Sequence, residues 1–417
     1  MKENKNIVIL GGGFGGVRVA LDLGRRKDLN IILIDKNKYH SYTPDYYETA
    51  TALLPEKGKT SDINNFANLK SSVAIPFAEI FKKRKNVKII KDEVVSVDFE
   101  NNNVLAKSGK TFPYDYLIIA LGAVSNFFEI PNLKERAFEL KTVNDALNIR
   151  NRIDEFFGSR PKHEKIRIII GGGGFSGCEF AAEAVGYTEK LAEWHSRPKE
   201  NFECLIVESG DCLLKGASHW VQERTEKRLL KLGVKIIKNY RIANVSEIEI
   251  KDEDKEAIPY NILIWTAGVK ANEFVKSLGL ELQKADTLIV DEFFRVKTLK
   301  NVFAIGDIAY NFSKRTVRPA PMTAQAAIKQ GQKLAKIMKS AVNKKKPAPY
   351  IFKSNPFIIP LGGKYALADM GFLKIEGCLG WTMRSATTLR YFFSILPFFA
   401  ALKLWFKGRV IYLRNDL

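Results

Sequence analysis

Residues 6–16 read NIVILGGGFGG, and this stretch predicts the fold of the N-terminal part of the chain. The apolar run at 6–10 has the length and composition of a buried strand, and glycines follow it directly. A helical pattern continues over residues 17–23, and a second apolar strand at 30–34 ends at Asp35. A strand, a glycine turn, a helix and a second strand with an acidic end form the unit that binds dinucleotides in doubly wound α/β folds.

The three spaced glycines of this turn have separate physical roles. Gly11 permits the tight turn, Gly13 lets a pyrophosphate approach the backbone, and Gly16 lets helix and strand pack closely. The N-terminus of the following helix offers N–H groups and the positive end of its dipole to the phosphates. Asp35 is expected to accept hydrogen bonds from a ribose. The alternative interpretation is a purely structural glycine turn.

A second copy of the pattern begins with an apolar strand at residues 165–170. The spaced glycines of this copy are Gly172, Gly174 and Gly177. A helical pattern over 180–192 and a strand at 203–207 follow, and that strand ends at Glu208. Two copies in one chain predict that two dinucleotides bind and that electrons pass between them.

Glu208 predicts a preference for NADH over NADPH. A carboxylate beside the 2′-phosphate of NADPH would cost repulsion and desolvation. The residues that follow, Ser209, Gly210 and Asp211, include no arginine that would bind this phosphate. The alternative interpretation is a solvated acid at the end of a strand.

Five further segments resemble type II NADH dehydrogenases, which are NADH:quinone oxidoreductases of the flavoprotein superfamily with two dinucleotide-binding domains. The segments read YHSYTP at 39–44, YDYLIIALG at 114–122, IWTAGV at 264–269, VFAIGD at 302–307 and AQAAIKQ at 324–330. Leu121 stands where the superfamily usually has threonine. The resemblance covers nearly the full chain and implies an α/β fold with two interleaved Rossmann-like domains, similar to glutathione reductase.

The same resemblance implies a domain plan and two cofactors. FAD is expected in a domain of residues 1–125 and 285–342, NADH in a domain of residues 126–284, and a membrane-anchoring or dimerisation region at 343–417. The implied FAD contacts are Gly11, Gly13, Phe14, Gly15, Gly16, Asp35, Lys36, Thr43, Val94, Ala120, Gly122, Gly306, Asp307, Ala324 and Gln325. The implied NADH contacts are Gly172, Gly174, Phe175, Gly177, Glu179, Glu208, Ala267 and Gly268. No metal is expected, and NADH is expected to reduce FAD before quinone takes the electrons, without proton pumping.

The resemblance assigns catalytic roles to Glu179, Gln325, Gln330 and Lys364. The two glutamines are five residues apart and do not share one stripe of a helix, so we expect one to face flavin or quinone and the other a neighbouring element. Glu179 is expected to tune charge or relay protons near the flavin, and its alternative is an acid favoured by the first turn of a helix. Lys364 is expected near the flavin ring and the quinone headgroup, with a plain surface lysine as the alternative.

The C-terminal region predicts an anchor that lies in the plane of a membrane. Its apolar run at 391–402 contains Pro397 and is followed by Lys403, so it is too short to span a bilayer comfortably. The flanking basic and aromatic residues are Arg384, Arg390, Lys407, Arg409, Arg414, Trp381, Trp405 and Tyr412. This pattern favours an apolar face in the acyl boundary with cations on anionic headgroups. A helical hairpin buried in a homodimer interface is the alternative.

The overall charge agrees with an anionic partner. The formal net charge is +20 at pH 7, which favours lipid headgroups, nucleic acid or phosphorylated cofactors. Nucleic acid is not expected, because the basic residues of the C-terminal region flank large aliphatic and aromatic stretches. The N-terminal residues carry no signal-like apolar stretch, so we expect a peripheral protein at the cytoplasmic face of the cell membrane.

The cysteines weigh against two related activities. Cys178, Cys204, Cys212 and Cys378 show no C-x-x-C spacing and predict reduced, non-catalytic thiols. Disulfide reductases need a cysteine pair at the flavin. A sulfide:quinone oxidoreductase, with Cys378 as the best-placed thiol, remains an alternative function. A slow NADH-binding flavoprotein that acts as a sensor or interaction partner is a second alternative.

Overall fold

The computed structural model describes residues 4–54, 63–312, 319–342, 345–352 and 356–415. The chain divides into two compact units. Unit 1 comprises Met1–Ser41, Ile75–Val124 and Val269–Ser354, and unit 2 comprises Tyr42–Ala74, Ser125–Gly268 and Asn355–Leu417.

The helices of the described residues are numbered in chain order. They are α1 (Phe14–Leu23), α2 (Tyr46–Ala50), α3 (Ile63–Val73), α4 (Phe77–Ile80), α5 (Leu133–Arg136), α6 (Val143–Ser159), α7 (Phe175–Trp194), α8 (His219–Lys231), α9 (Ala324–Val342), α10 (Cys378–Ile395) and α11 (Phe398–Tyr412).

The strands are numbered in the same way. They are β1 (Lys5–Leu10), β2 (Leu29–Asp35), β3 (Tyr39–Ser41), β4 (Ala74–Pro76), β5 (Val87–Lys91), β6 (Val94–Asp98), β7 (Asn103–Ala106), β8 (Thr111–Pro113), β9 (Tyr116–Ile119), β10 (Ala123–Ser125), β11 (Phe138–Glu139), β12 (Ile166–Gly171), β13 (Phe202–Val207), β14 (Lys235–Ile237), β15 (Asn244–Val245), β16 (Glu249–Lys251), β17 (Ile258–Pro259), β18 (Ile262–Trp265), β19 (Val269–Ala271), β20 (Leu282–Gln283), β21 (Thr287–Val290), β22 (Val302–Ala304), β23 (Ala309–Asn311), β24 (Phe357–Pro360), β25 (Ala366–Asp369) and β26 (Lys374–Gly377).

Unit 1 is built on a five-stranded parallel sheet with the order β22-β9-β1-β2-β5. The residues of β1 from Ile7 to Leu10 are fully buried, as expected for a central strand that is covered on both faces. In the core of unit 1, Leu117 and Ile119 of β9 cluster with Val104 and Phe112 of the antiparallel sheet β6-β7-β8. The predicted strand, turn, helix, strand unit therefore forms at the centre of unit 1.

Close backbone contacts hold the helices of unit 1 in place. Gly11 has a φ of +99°, and a Cβ built on Gly16 would lie 2.0 Å from the carbonyl oxygen of Gly11. Helix α9 packs against α1 at Gly331, where a Cβ would lie 2.8 Å from the carbonyl oxygen of Gly15. Packing therefore requires glycine at 16 and 331, and the positive φ at 11 favours glycine there as well.

Unit 2 repeats this architecture around a parallel sheet with the order β11-β18-β12-β13-β14. Gly172 has a φ of +109°, and a Cβ built on Gly177 would lie 2.1 Å from the carbonyl oxygen of Gly172. Both turns also make the same backbone hydrogen bond at 2.8 Å, from Gly11 N–H to Ile34 O and from Gly172 N–H to Val207 O. The second glycine motif is therefore a structural copy of the first.

The C-terminal residues of unit 2 form an antiparallel sheet, β24-β25-β26, and a helical hairpin of α10 and α11. Helix α10 ends before Pro397, because the residue that precedes a proline is forced toward extended backbone; Leu396 has φ −119° and ψ 158°. Helix α11 begins directly after this proline. No helix within the described ranges is both long and apolar enough to cross a membrane.

The compact units differ from the predicted domain boundaries in several places. Residues 42–54, 63–74 and 356–415 pack with unit 2, and residues 269–284 and 345–352 pack with unit 1. The C-terminal region therefore forms no separate unit within the described part of the chain. Residues 343 and 344, where the sequence predicts this region to begin, lie outside the described residues.

The first glycine turn gives a matched test of packing against binding. Gly16→Ala is expected to destabilise the protein by about 3 kcal/mol or more, because its Cβ would overlap the carbonyl oxygen of Gly11. Gly13→Ala is the control, since a Cβ at Gly13 meets no atom within 4 Å. Denaturant unfolding of both variants measures the difference. Equal stability of the two variants would contradict the packing role of Gly16.

Candidate functional site

In unit 1, the carboxylate of Asp35 anchors the first glycine turn. Its Oδ2 accepts a hydrogen bond from Gly12 N–H at 2.7 Å, and its Oδ1 accepts one from Asn37 N–H at 2.7 Å. Burial raises the pKa of Asp35, and the two N–H donors oppose this shift because they stabilise the charged form. The predicted ribose acceptor therefore lies at the turn, as the motif requires.

His40 forms a hydrogen bond with the same turn, a role that the sequence did not predict. Its Nδ1 donates to the carbonyl oxygen of Gly12 at 2.9 Å, and its ring packs edge-on against Phe14 with 4.8 Å between centroids. Burial lowers the pKa of His40 to about 4, so the ring is neutral at physiological pH. Its place in the YHSYTP segment was the only available signal.

In unit 2, Glu208 anchors the second turn in the same way. Its Oε2 accepts from Gly173 N–H and its Oε1 from Gly210 N–H, both at 2.7 Å. Thr266, which follows β18, donates to the carbonyl oxygens of Gly171 and Gly172 at 3.1 Å each. The ends of β12, β13 and β18 therefore converge on one turn, and Ala267 and Gly268 follow directly.

Both turns fit the pyrophosphate of a dinucleotide. A Cβ built on Gly13 or Gly174 would meet no atom within 4 Å, so open space lies in front of the backbone at both positions. Each of these glycines is the N-cap of the following helix, and neither α1 nor α7 has an acidic residue in its first turn. The N–H groups of the first helical turn and the positive helix end therefore face the same open space.

The other implied FAD contacts are distributed over both units. Lys36 is exposed, Val94 lies on β6, and Ala120 and Gly122 follow β9, where Gly122 has a φ of +71°. Thr43 belongs to unit 2, where it is exposed in a single 3-10 turn, Thr43–Asp45. Their roles stay predictions.

The two glutamines of α9 point in different directions, as their spacing predicts. Gln330 is buried, and its Oε1 accepts from Gly306 N–H at 2.6 Å, where Gly306 has a φ of +79°. Gln330 therefore holds the Gly306–Asp307 turn rather than facing a ligand. Gln325 is only partly buried, in the first turn of α9, beside Ala324. Gln325 stays the candidate for contact with flavin or quinone.

Unit 2 contains a buried ion pair that the sequence did not predict. Arg384 donates to Asp45 at 2.8 Å and to the carbonyl oxygen of Pro44 at 3.0 Å. The side chain of Arg384 is 12% exposed, so it does not belong to the predicted basic border of a membrane anchor. Tyr412 is also buried, where it makes hydrogen bonds with Ser72 and Thr49. The prediction that Arg384 and Tyr412 flank a membrane anchor as interfacial residues is therefore wrong.

Two further carboxyl groups lie in the field of this ion pair. Burial raises the pKa of Glu48 to about 8, and the charge of Asp45 adds to the shift while Arg384 opposes it. Burial likewise raises the pKa of Glu179 to about 8, although Arg384 again lowers it. Tyr47 donates its hydroxyl to Glu48 at 3.1 Å. Glu48 and Glu179 are therefore mostly protonated at neutral pH.

A cavity of unit 2 is bounded by Glu48 and by the Arg384–Asp45 ion pair. It is lined by Asp45, Glu48, Ser72, Glu183, Pro360, Trp381, Arg384, Thr388, Phe392, Leu404, Trp405, Gly408, Arg409 and Tyr412. Arg409 stacks on Trp381, with 4.5 Å from its guanidinium carbon to the ring centroid. The cavity thus combines acids, a paired arginine and aromatic walls between α2 and the C-terminal hairpin. The sequence analysis singled out Glu179, which is not among the lining residues, and it singled out neither Asp45 nor Glu48.

Lys364 lies on the surface of a neighbouring cavity in unit 2. Its loop contains Gly362 and Gly363, with φ values of +74° and +61°. The same cavity is lined by Ala182, Glu183, Gly186, Arg228, Leu232 and Tyr365. Lys364 itself is exposed. Its role near flavin or quinone stays a prediction.

The two anchored glycine turns define a protein with two dinucleotide-binding folds. A profile of the pyridine nucleotide-disulphide oxidoreductase family matches residues 5–331, and the chain belongs to this family.

Individual proteins of known name and structure are also similar to this chain. The chain is 28% identical to the type II NADH:quinone oxidoreductase NdhA of Mycobacterium tuberculosis, over 97% of this chain and 87% of that protein. The structure described as NDH2 from Plasmodium falciparum in complex with NADH covers 99% of this chain, with 98% of its own chain matched, 18% identity and a TM-score of 0.83. Sulfide:quinone oxidoreductase from Aquifex aeolicus covers 99% of this chain, with 92% of its own chain matched, 20% identity and a TM-score of 0.75. The predicted resemblance and the α/β fold with two Rossmann-like domains are confirmed.

The raised pKa of Glu48 predicts a pH-dependent effect of its removal. The folded protein keeps Glu48 protonated up to about pH 8, whereas the unfolded chain ionises it at lower pH, so folding stability falls as pH rises through this window. Glu48→Gln is therefore expected to gain stability relative to the wild type as pH rises from about 5 to about 8. Thermal unfolding midpoints of both proteins across this range measure the gain.

The control for this measurement is Glu135→Gln, which changes an exposed residue of unit 2. Its stability difference from the wild type is expected to stay constant over the same pH range. A constant difference for Glu48→Gln as well would show that Glu48 ionises at its ordinary pKa in the folded protein.

Proposed function

We propose that this chain is a FAD-dependent oxidoreductase that transfers electrons from NADH to a membrane quinone without pumping protons. The observation that carries the proposal is the pair of glycine turns, each anchored by an acidic residue through the N–H of its middle glycine. A protein that binds two dinucleotides in this way is suited to electron transfer between them. The type II NADH:quinone oxidoreductase of M. tuberculosis, similar over 97% of this chain, supports the choice of substrates.

The first turn is proposed to hold FAD and the second NADH. The acids at both turns suit a ribose with free hydroxyls and oppose a 2′-phosphate. At the second turn, Glu208 accepts two backbone hydrogen bonds, so an incoming phosphate would meet a fixed negative charge. NADH is therefore favoured over NADPH.

The residues of the chain bind, orient and supply protons. When bound, FAD supplies the two-electron carrier that accepts hydride from NADH and passes electrons to quinone. Gln325, in the first turn of α9, is proposed to contact flavin or quinone. Glu48 and Glu179 are protonated at neutral pH and are proposed to hold protons that quinone takes up on reduction. Lys364 is proposed to lie near the quinone headgroup.

The cysteines disfavour the sulfide:quinone alternative. All four are free thiols, and Cys178 and Cys204 are buried. Burial raises the pKa of Cys178, and it raises that of Cys204 to about 12, so neither thiol forms a reactive thiolate near neutral pH. Cys378 is exposed, and it forms no disulfide with any of the other three thiols.

Steady-state kinetics of the FAD-loaded protein test the proposal. Fast oxidation of NADH with a soluble quinone, much slower oxidation of NADPH and no quinone reduction by sulfide are expected. Quinone reduction by sulfide but not by NADH would favour the first alternative. Slow turnover with every quinone, together with tight NADH binding, would favour a flavoprotein that acts as a sensor or interaction partner.

The same assay locates the quinone half of the reaction. Gln325→Ala is expected to slow quinone reduction at least about tenfold, while NADH oxidation in a single anaerobic turnover stays intact. Gln332→Ala, an exposed residue on the same helix, is the matched control. Unchanged quinone kinetics in Gln325→Ala would remove Gln325 from the quinone site.

The surface of α11 supports the proposed membrane anchor. Phe399, Phe406 and Val410 are 82%, 58% and 61% exposed, and their spacing places them on one stripe of α11 that also contains Lys403. An apolar stripe with a cation suits the interface of an anionic bilayer. We therefore propose peripheral binding at the cytoplasmic face of the cell membrane, where NADH is available. The alternative to membrane binding is that the same stripe forms the interface of a homodimer.

Vesicle binding tests this anchor. The double variant Phe399→Glu, Phe406→Glu is expected to lose at least about tenfold in affinity for vesicles that contain phosphatidylglycerol, because two negative charges replace exposed apolar rings that would enter the bilayer interface. Ile248→Glu is the control, since Ile248 is an exposed apolar residue of unit 2 away from α11. Unchanged vesicle binding combined with dissociation of a dimer would favour the dimer interface instead.

A further inference from the structure

The segment that follows β10 holds a large aromatic residue in an unusual backbone conformation. Phe128 and Glu129 are consecutive residues in the left-handed region, with φ values of +50° and +59°. The conformation is unfavourable for residues with a Cβ, and a bulky side chain there is rare. Phe128 is nevertheless 56% exposed, so burial of its ring in the core does not offset the cost.

Local contacts fix this conformation. The side-chain oxygen of Asn126 accepts a hydrogen bond from Phe128 N–H at 3.0 Å. The indole N–H of Trp265 donates to the carbonyl oxygen of Asn126 at 2.8 Å, and the ring of Phe128 meets the ring of Trp265 edge-on, with 6.4 Å between centroids. These contacts tie the segment to the carboxyl end of β18.

The ring of Phe128 covers Gly268. A Cβ built on Gly268 would lie 2.9 Å from the tip of this ring, and Gly268 has a φ of +111°. The backbone N–H of Asn126 donates to the carbonyl oxygen of Gly268 at 3.2 Å. Because Gly268 has no Cβ, the ring of Phe128 can lie beside the end of β18.

The strand order places this ring relative to a bound dinucleotide. In the sheet of unit 2, β13 and β18 flank β12 on opposite sides. Glu208 at the end of β13 marks the ribose of the adenine half, and the N-terminus of α7 after β12 marks the pyrophosphate. The remaining half, which carries the nicotinamide, must therefore extend toward the end of β18, where Phe128 lies.

We propose that the ring of Phe128 packs against the nicotinamide riboside half of NADH and positions it in unit 2. The proposal rests on the proposed function, because it takes the second glycine turn as the NADH site. An aromatic face suits a flat heteroaromatic ring, and a ring already fixed by Asn126 and Trp265 loses little freedom when NADH binds. Backbone strain at such a position is typical of ligand-binding segments.

If the ring of Phe128 contacts NADH, its removal is expected to weaken dinucleotide binding without lowering the stability of the protein. Phe128→Gly relieves the left-handed strain and removes the ring, so its unfolding midpoint is expected to equal or exceed that of the wild type. Its affinity for NAD⁺, measured by calorimetry on the FAD-loaded protein, is expected to fall about tenfold. KM for NADH is expected to rise by a similar factor of about ten while kcat at saturating NADH stays within about twofold.

Three further variants separate the ring from the backbone. Phe128→Tyr is expected to keep wild-type affinity, whereas Phe128→Leu, which keeps apolar bulk, is expected to lose affinity as Phe128→Gly does. Glu129→Gly relieves neighbouring strain without removing the ring and is expected to bind NAD⁺ like the wild type.

Two results would overturn the proposal. Affinity of Phe128→Gly and Phe128→Leu for NAD⁺ within about twofold of the wild type would show that the ring does not contact the dinucleotide. A lower unfolding midpoint in Phe128→Gly, with full affinity in Phe128→Leu, would assign Phe128 a structural role. Failure of the wild type itself to bind NAD⁺ would instead contradict the proposed function, so the two failures are distinguishable.

Discussion

The hydrogen bond from the middle glycine of each turn to the acid at the end of the second strand organises both nucleotide sites. Gly12 donates to Asp35 and Gly173 donates to Glu208, each at 2.7 Å. The bond joins the turn that opens a helix to the neighbouring strand, so the helix N-terminus, the open space before it and the ribose acceptor are fixed together. Because the donor is a backbone group, the bond constrains backbone position more than side-chain identity.

Glycine at the middle position is enforced by packing as well. A Cβ built on Gly12 would lie 2.1 Å from the ring of Phe77, and one on Gly173 would lie 2.5 Å from the side chain of Leu213. Each turn therefore packs against an apolar side chain, Phe77 or Leu213, and is also hydrogen-bonded to its acid. Substitution at either glycine would move the turn away from its acid and disturb the phosphate and ribose contacts at once.

The sequence predicted the features that depend on backbone conformation and local order. The spaced glycines, the strands and both acids follow one another within about 40 residues, so short-range rules suffice for them. It did not predict the pairing of Arg384 with Asp45, because these residues lie 339 positions apart and a basic residue on an apolar helix resembles a membrane-facing one. Likewise, helical spacing showed that Gln325 and Gln330 differ in direction, but only tertiary packing against Gly306 shows which one is buried.

The two carboxyl groups of unit 2 with raised pKa values, Glu48 and Glu179, also alter the electrostatics of the protein as a whole. The formal net charge of +20 counts every Asp and Glu as ionised, but Glu48 and Glu179 retain protons at pH 7. The true charge is therefore more positive than the formula states, and both groups lie in the unit that carries the exposed stripe of α11. As the pH rises through about 8 these acids release their protons, and the attraction of this unit to an anionic surface weakens.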